Sequence, residues 1–553
     1  MSSRTSLVHF RGRTTHLSST STDLIFDHTL LSKHDSPVHT LKLPYNRVGT
    51  VLKTSEHTVK LSWIEGVEGE EKAVVEEVQW KAYTTSSEKE KEVLQPQEDW
   101  LDHLRIPSHL LRTPFEEQNL KQHTIQIVRN PTCSQLNSRS QIVLNSLLTL
   151  LVNSGHVHSE QFIHVHETTV QVDGNMIGRR IVQRDPDGPR TVVVIGGDGT
   201  VGEVVNGLLQ GVDVEGEETK EVKQTGLVII PLGTANALYH HHFPPEHHTK
   251  LDPALHIYQS LFAYLHQRND RPRSLEVALN ILPSVNFKGE PERLFTLVVT
   301  STALHANILY DAEKLRLTHP GVERFKIAAG ENATRWYEGK VKLVGAVSRW
   351  DAGQWVYESA KEIVLKGPWV YVVGSLVSRF EKDFVVAPLR TRSINMQAEQ
   401  DQELDSSIDV VLIRPLRDPL TRKVFESEGS EKAKEFFVAS LWETFGGIYR
   451  GGEHVGMRWN DGTERVECYR CRMVEWEAVG PVLCRMEFFF FGRVRTHAFF
   501  LFLKQPDSED VKDRLVCLDG LVRDLGSKGE GHGRGRYAMR GLGSGKTGLG
   551  IWA

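Results

Sequence analysis

Cysteine is scarce in this sequence, as are long apolar runs and any excess of positive charge. Five cysteines in 553 residues (Cys133, Cys468, Cys471, Cys484 and Cys517) do not make a disulfide framework. They read as reduced thiols in a cytoplasmic setting. No stretch reaches the roughly 18 consecutive apolar residues of a membrane span. The most apolar segment, Phe488 to Leu503, is interrupted by Arg493, Arg495 and His497. A bilayer would therefore be met peripherally, as a transient membrane surface. The net charge of −5 argues against nucleic acid as a partner, because such proteins carry a basic footprint. Residues Met1 to Thr22 hold Ser, Thr and Arg without the apolar core of a secretory signal. Their composition fits a transit peptide or a disordered tail, and the tail is the reading preferred here.

What is present is enough hydrophobic residue, 39%, for a sizeable core, in a chain long enough for two or three domains at roughly 100–200 residues each. Residues 1–40 are expected to be disordered. Alternating runs such as Thr58 to Trp63 and Val75 to Trp80 predict a small β-rich module over 41–85. Ser86 to Asp99 reads as a charged linker. Over 120–270 the pattern becomes strand, helix, strand: Ile125 to Val128, Ser140 to Val152, Phe162 to His166, Arg190 to Ile195, Glu203 to Leu209, Leu227 to Ile230 and Leu255 to Leu265. That alternation predicts an α/β domain with a parallel sheet. Over 273–525 strands such as Leu275 to Leu279, Leu294 to Val299, Trp369 to Val373 and Ile408 to Ile413 predict an antiparallel β-sandwich, with helices at Asp311 to Leu317 and Glu431 to Phe445. A Phe-rich insertion at about 480–504 interrupts it, and a Gly-rich tail over 526–553 is expected to be disordered.

The chemistry concentrates where the apolar strand ending at Ile195 meets Gly196-Gly197-Asp198-Gly199-Thr200 and a helix follows. Glycines let the backbone turn sharply and approach a ligand. The helix start offers free N–H groups and its positive end to an anion, so the junction suits phosphate. Asp198 would repel phosphate unless it holds Mg²⁺ or accepts a proton from an attacking hydroxyl. The bland alternative is a βα turn with a capping Asp. A second junction, Pro231-Leu232-Gly233-Thr234-Ala235-Asn236, places a turn and polar groups at another helix start. Both lie at carboxyl ends of parallel strands, where open α/β sheets bind ligands.

Other patterns are set aside. Gly197 to Gly202 fits G-x-G-x-x-G, but the next strand ends in Pro231 rather than an acid, against a dinucleotide-binding fingerprint. Gly541 to Thr547 mimics a phosphate loop with wrong spacing and no preceding apolar strand. His240-His241-His242 with His247-His248 reads as a surface loop rather than a metal site. Cys468 and Cys471 read as ordinary residues of a strand.

The two loops, with Asn206-Gly207-Leu208 between them, resemble the diacylglycerol kinase catalytic family, which includes sphingoid-base and ceramide kinases. The resemblance implies a nucleotide domain, a C-terminal β-sandwich, ATP and Mg²⁺ in the cleft between them, and a lipid substrate. It implies that Asp198 is the catalytic base. Asn130, Thr168, Gly196, Gly197, Gly199, Thr200, Glu203, Gly233, Thr234 and Asn236 would border the nucleotide. Ala306 to Arg316 resembles the family's head-group segment, which makes Asn307 and Asp311 substrate residues and Arg316 and Arg324 phosphate clamps. Val516 to Leu521 resembles the family's Asp-Gly-Glu element, which makes Asp519 a nucleotide and metal residue beside Asp198.

Three departures bear on function. Asn307 and Leu309 stand where sphingoid-base kinases have aspartates, leaving Asp311 as the remaining counter-ion for an amine and a neutral glycerolipid open as substrate. Leu521 stands where Glu is expected. The turn after Asn130-Pro131 lacks the usual glycines. The reading is an ATP-dependent lipid kinase, with an inactive nucleotide- or lipid-binding homologue and an NAD kinase as alternatives.

Overall fold

The computed structural model describes residues 5–10, 13–19, 23–27, 40–55, 58–66, 71–80, 111–112, 124–133, 137–153, 162–169, 173–184, 190–210, 225–247, 253–266, 272–285, 291–319, 321–391, 407–478, 512–519, 521–525, 536–542 and 549–552. It is a mixed α/β protein with a parallel-sheet core and several antiparallel sheets.

In the core sheet the strands run in the order Ile163–Glu167, Thr124–Arg129, Arg190–Gly196, Thr225–Pro231, Leu549–Ile551 and Arg273–Ser274. All neighbours are parallel except the last pair. Strand Arg190–Gly196 is buried on both faces, and its side chains alternate between two cores. Val192 and Val194 pack with Ile177, Ile181, Val201 and Val205 from the helices Asp173–Arg184 and Asp198–Leu208. Val193 and Ile195 pack with Val143, Leu147, Leu261 and Leu265 from the helices Asn137–Asn153 and Gln259–His266. A strand covered by helices on both sides must be apolar at every position, which is why its sequence runs without polar alternation.

The second domain is a sandwich of two antiparallel sheets. One contains Val277–Val285, Arg536–Leu542, Met473–Ala478 and Gly339–Val344; the other contains Glu467–Cys471, Ile408–Ile413, Tyr371–Ser375, Val299–Ala303 and Leu515–Leu518. Between them lie Leu282, Val341, Trp476 and Met539 from one side and Val372, Val410, Leu412 and Val516 from the other. The core under the helix Asp198–Leu208 continues into this domain through Leu279, Leu297 and Val299, so an apolar seam joins the two units. Cys468 and Cys471 sit on a buried strand, as read from the sequence.

Four expectations need correction. Thr5–Phe10, Arg13–Ser19 and Asp23–Asp27, expected to be unstructured, are strands of an eight-stranded N-terminal sheet. Leu17, Leu24 and Phe26 share its core with Leu43, Val51, Leu61 and Trp63. These sparse apolar residues gain their burial from strands far along the chain, a source of order that local composition does not reveal. The Gly-rich end is likewise ordered over Arg536–Leu542 and Leu549–Ile551, because Tyr537, Met539, Leu542, Leu549, Ile551 and Trp552 are buried between the glycines. His240, His241 and His242 form the last turn of the helix Ala237–His242, not a loop. The helix expected at Asp311 starts earlier, as Leu304–Lys314. The Phe-rich insertion and the Ser86 to Asp99 linker lie outside the described residues. Among the described residues no helix is long and apolar enough to cross a membrane.

His454 is fully buried, and its Nε2–H donates to the Val386 carbonyl at 3.0 Å, while Nδ1 has no hydrogen-bond partner. Burial lowers its pKa from 6.5 to about 4, against the Val386 hydrogen bond. The unfolded chain therefore binds a proton that the folded chain refuses as pH falls from about 6.5 to 4. Stability is complete above that window and is lost within it, on the order of 3 kcal/mol from this residue. His454→Gln keeps the donor but cannot charge, so the variant should retain stability between pH 6.5 and 4 that the wild type loses. Denaturant unfolding at neutral and acid pH checks this; equal losses in both proteins would remove His454 as the cause.

Candidate active site

The site is built where two strand ends lie side by side. Strands Arg190–Gly196 and Thr225–Pro231 pair in register up to Gly196 and Pro231. Leu232 N–H then donates to the Gly196 carbonyl at 3.0 Å. Their loops meet backbone to backbone: a Cβ on Gly233 would fall 2.4 Å from Gly197 Cα, and one on Gly197 would fall 2.9 Å from Gly233 Cα. Both positions therefore require glycine. Asn236 fixes the second loop in a left-handed conformation with φ 53°. Its Oδ1 accepts from Gly233 N–H at 2.9 Å, and its Nδ2 donates to the Gly233 carbonyl at 2.9 Å.

Asp198 begins the helix Asp198–Leu208, with Gly197 as its cap. Its carboxylate crosses to the neighbouring loop, where Oδ2 accepts from Ala237 N–H at 2.8 Å and Oδ1 from Leu238 N–H at 3.0 Å. The acid is thus also a cap for the helix Ala237–His242. Burial raises its pKa above the ordinary carboxylate range, while those N–H groups oppose the rise. A Cβ on Gly199 would meet nothing within 4 Å, so the first turn of the helix faces open space.

Asp519 reaches the same place from the second domain. It holds φ 49°, a strained value for a non-glycine residue, at the turn after Leu515–Leu518. Its Oδ2 accepts from Leu297 N–H at 2.6 Å, and its Oδ1 accepts from Val298 and Val299 N–H at 2.9 and 2.8 Å. A Cβ on Gly202 would lie 3.6 Å from Asp519 Oδ2, so the carboxylate rests on the helix that starts at Asp198. Burial pushes Asp519 up to about 7 against those three N–H groups, and the negative charge of Asp198 adds to the rise.

Two buried carboxylates that repel each other suit a hard divalent cation. Mg²⁺ is commonly held by one or two carboxylates together with substrate phosphates. The two carboxylates lie close enough for the charge of one to raise the pKa of the other, a repulsion that a shared cation would relieve. Among the described residues no group of three or more His, Cys, Asp or Glu side chains forms a metal site on its own.

Asn130 joins the rim, since its Nδ2 donates to Thr200 Oγ1 at 3.1 Å and its Oδ1 accepts from Thr132 N–H at 3.0 Å. Thr168 is buried beyond the next strand, with its N–H on the Arg129 carbonyl at 2.9 Å. Glu203 accepts from Gly174 N–H at 3.2 Å and ties the helix Asp198–Leu208 to Asp173–Arg184. Thr234 is exposed at the turn.

The head-group residues are arranged differently from a free acidic pair. Asn307 is fully buried, its amide donating to the Ala303 and Lys512 carbonyls at 2.9 Å each. Asp311 accepts from Lys512 Nζ at 2.7 Å, Asn332 Nδ2 at 2.8 Å and Lys314 Nζ at 2.9 Å. Burial alone would raise its pKa; Lys512, Asn332 and Lys314 together hold it below the usual range. Arg316 is exposed and pairs with Glu313 at 2.9 Å. Arg324 is buried over the Phe325 ring, its Nε without a hydrogen-bond partner. Burial, then the charge of Arg316, lowers its pKa, which is the behaviour of two neighbouring cations. No hydrogen bond or ion pair among the described residues joins Asn307, Asp311, Arg316 or Arg324 to the Asp198 and Asp519 pair. Sequence reading missed Lys512 and Asn332, which sit far apart in the chain and carry no local motif. It also missed the Leu297 to Val299 backbone that cradles Asp519.

Residues 146–258 match the family model of the diacylglycerol kinase catalytic domain, a span that contains Asp198 and both glycine loops. Those residues therefore match a kinase catalytic domain. Two solved structures resemble it at low identity. A diacylglycerol kinase from Bacillus anthracis strain Sterne shares 13% identity at a TM-score of 0.35, over 76% of this chain and 94% of that one. A yeast NADH kinase complexed with NADH shares 10% identity at a TM-score of 0.30, over 78% of this chain and 83% of that one. No curated protein sequence matches the chain significantly.

Proposed function

We propose that this protein is an ATP-dependent lipid kinase that transfers the γ-phosphoryl group to a lipid hydroxyl. The observation that carries this reading is the contact of Gly197 with Gly233, which gathers two phosphate-suited turns beside Asp198 and Asp519. Phosphoryl transfer needs little covalent help from a protein, so positioning and charge do most of the catalysis. In this reading the helix start at Asp198 to Thr200 faces the phosphates, with Asn130, Glu203, Thr234 and Asn236 around the nucleotide. Arg316 and Arg324 supply guanidinium groups to phosphate oxygens. Asp198, its pKa raised by burial, accepts the proton of the attacking hydroxyl. Asp198 and Asp519 would hold Mg²⁺, which neutralises phosphate charge when bound.

The ion pairing of Asp311 with two lysines supports a lipid without a positive charge. Lys512 and Lys314 already flank that carboxylate, so an amine would meet two ammonium groups rather than a free counter-ion. A diacylglycerol-type substrate fits better than a sphingoid base. Peripheral attachment to a membrane from the cytoplasm completes the reading.

The test is a labelled-ATP assay across diacylglycerol, sphingoid base, ceramide and NAD. Diacylglycerol should take up label in preference to the others. Label entering NAD alone, or entering nothing while nucleotide still stabilises the protein, overturns the lipid-kinase reading. Gly233→Ala should weaken nucleotide binding by about tenfold or more, because the added methyl forces the two loops apart. Thermal stabilisation by titrated ATP reads this out, and an unchanged affinity would mean that the loop contact does not shape the site.

A further inference from the structure

We propose that Asn206 is a positioning residue that holds Asp519 against Asp198 across the seam between the two domains. The proposal rests on the reading above, in which the two acids hold Mg²⁺ beside ATP, and adds what sets their spacing. Asp198, Gly202 and Asn206 recur every four residues in the helix Asp198–Leu208 and so lie along one face of it. Asp519 rests on the middle member, since a Cβ on Gly202 would lie 3.6 Å from its Oδ2. Asn206 grips both sides of that contact. Its Nδ2 donates to the Gly202 carbonyl at 2.8 Å on its own helix and to the Phe295 carbonyl at 2.7 Å in the second domain, while its Oδ1 accepts from Phe295 N–H at 2.8 Å. Phe295 is the penultimate residue of the strand Pro291–Thr296. Leu297, Val298 and Val299, just past the end of that strand, supply the N–H groups that hold the Asp519 carboxylate.

Apolar packing surrounds this tie: Val205, Leu209, Phe295 and Leu297 share one buried core. Such packing is non-directional, whereas two opposed hydrogen bonds from a single amide admit one register. The helix is fixed on another side as well. A Cβ on Gly207 would fall 2.2 Å from the Asn175 carbonyl oxygen, so the helix Asp173–Arg184 closes on it. The Asn206-Gly207-Leu208 run thereby gains a physical meaning: the glycine seats the helix in its own domain, and the asparagine references the second domain to it. Without the amide, Phe295 and the backbone of Leu297, Val298 and Val299 are free to slide along the helix, and Asp519 moves with them relative to Asp198.

The full chain and its Asn206→Ala, Asp519→Asn and double variants are compared by thermal stabilisation with ATP, first with divalent metal chelated and then under titrated Mg²⁺. Asn206→Ala should need about tenfold more Mg²⁺ for half of its effect, the loss typical of removing a group that orients a metal ligand. Stabilisation by metal-free ATP should stay as in the wild type, which a general loosening of the fold would not leave intact. The double variant should need no more Mg²⁺ than Asp519→Asn alone, because Asn206 acts through that carboxylate. Should alanine prevent folding, Asn206→Asp takes its place: it keeps the bond from Phe295 N–H and sets an oxygen against the Phe295 and Gly202 carbonyls, with the same shift expected. An unchanged Mg²⁺ requirement in the Asn206 variant, or effects of the two substitutions that multiply, overturns the proposal and leaves the acid-pair reading standing. A wild type stabilised by ATP without regard to Mg²⁺ sinks the acid-pair reading, and this proposal with it.

Discussion

Asp198→Asn is expected to reduce turnover by roughly a thousandfold, within the 10²–10⁴ range contributed by a positioned general base. In the proposed reading an amide cannot accept the hydroxyl proton, and it would bring less charge to a cation held with Asp519. The substitution also has a structural consequence that the motif alone does not reveal. Both carboxylate oxygens accept backbone N–H groups, from Ala237 and Leu238. Asparagine has one acceptor oxygen, so its NH₂ must face the remaining N–H and leave a buried donor unpaired, at about 1–3 kcal/mol. The variant should therefore melt earlier as well as turn over slowly. The two effects separate cleanly: a loss of stability of that size leaves most molecules folded, whereas the rate should fall by far more than the folded fraction. A variant that melts earlier but phosphorylates lipid at near the wild-type rate would make Asp198 a helix cap and nothing more. A variant whose rate collapses while ATP still raises its melting temperature would place the loss in the chemical step.

That double role marks the limit of what sequence shows at this site. The strand ending at Gly196, the glycine turn and the helix after it were legible because each is local: an apolar run, residues that permit a sharp turn, then helical spacing. The second loop was legible for the same reason. What joins them was not, because the 2.4 Å approach of a Gly233 Cβ to Gly197 depends on strand register rather than on any motif. Asp519 was found only through its resemblance to a known element. Its setting depends on three backbone N–H groups about 220 residues earlier in the chain. Asp311 shows the opposite failure. Its sequence neighbours suggest a carboxylate open to substrate, yet Lys512, just ahead of the distant strand Leu515–Leu518, pairs with it at 2.7 Å. The strands Thr5–Phe10, Arg13–Ser19 and Asp23–Asp27, and Arg536–Leu542 and Leu549–Ile551, escaped notice for a related reason. Each has too few apolar residues to build a core alone and is stabilised by strands it meets only after folding.

The last of these segments leads to the second large expected effect: a chain ending at residue 548 should fail to fold into a soluble, active protein. Leu549–Ile551 is inserted between Thr225–Pro231 and Arg273–Ser274 in the core sheet. Leu549, Ile551 and Trp552 are buried there. At about 1.5–3 kcal/mol for each large apolar side chain, their loss approaches the whole stability of a typical domain, about 5–15 kcal/mol. Trp552 adds specific ties: its carbonyl accepts from Ser260 Oγ at 2.8 Å, its N–H donates to Leu227 at 3.0 Å, and its ring packs edge-on against Tyr264. A Cβ on Gly226 would fall 2.4 Å from its indole nitrogen, so the strand beneath is shaped to the tryptophan. Removing the segment also bares the edge of Thr225–Pro231, an apolar strand open to pairing with other chains. Because that strand leads directly into the Gly233 loop, the damage should reach the nucleotide as well as the core. Trp552→Ala is the graded version, expected to cost about 3–5 kcal/mol, with a lowered melting temperature in a protein that still folds. Soluble yield, circular dichroism and ATP-dependent stabilisation of the truncated chain check the stronger form. If the truncated chain melts with the wild type and binds ATP equally well, the C-terminal strand is an accessory of the sheet, and the Gly233 loop is held by the neighbouring Arg190–Gly196 strand alone.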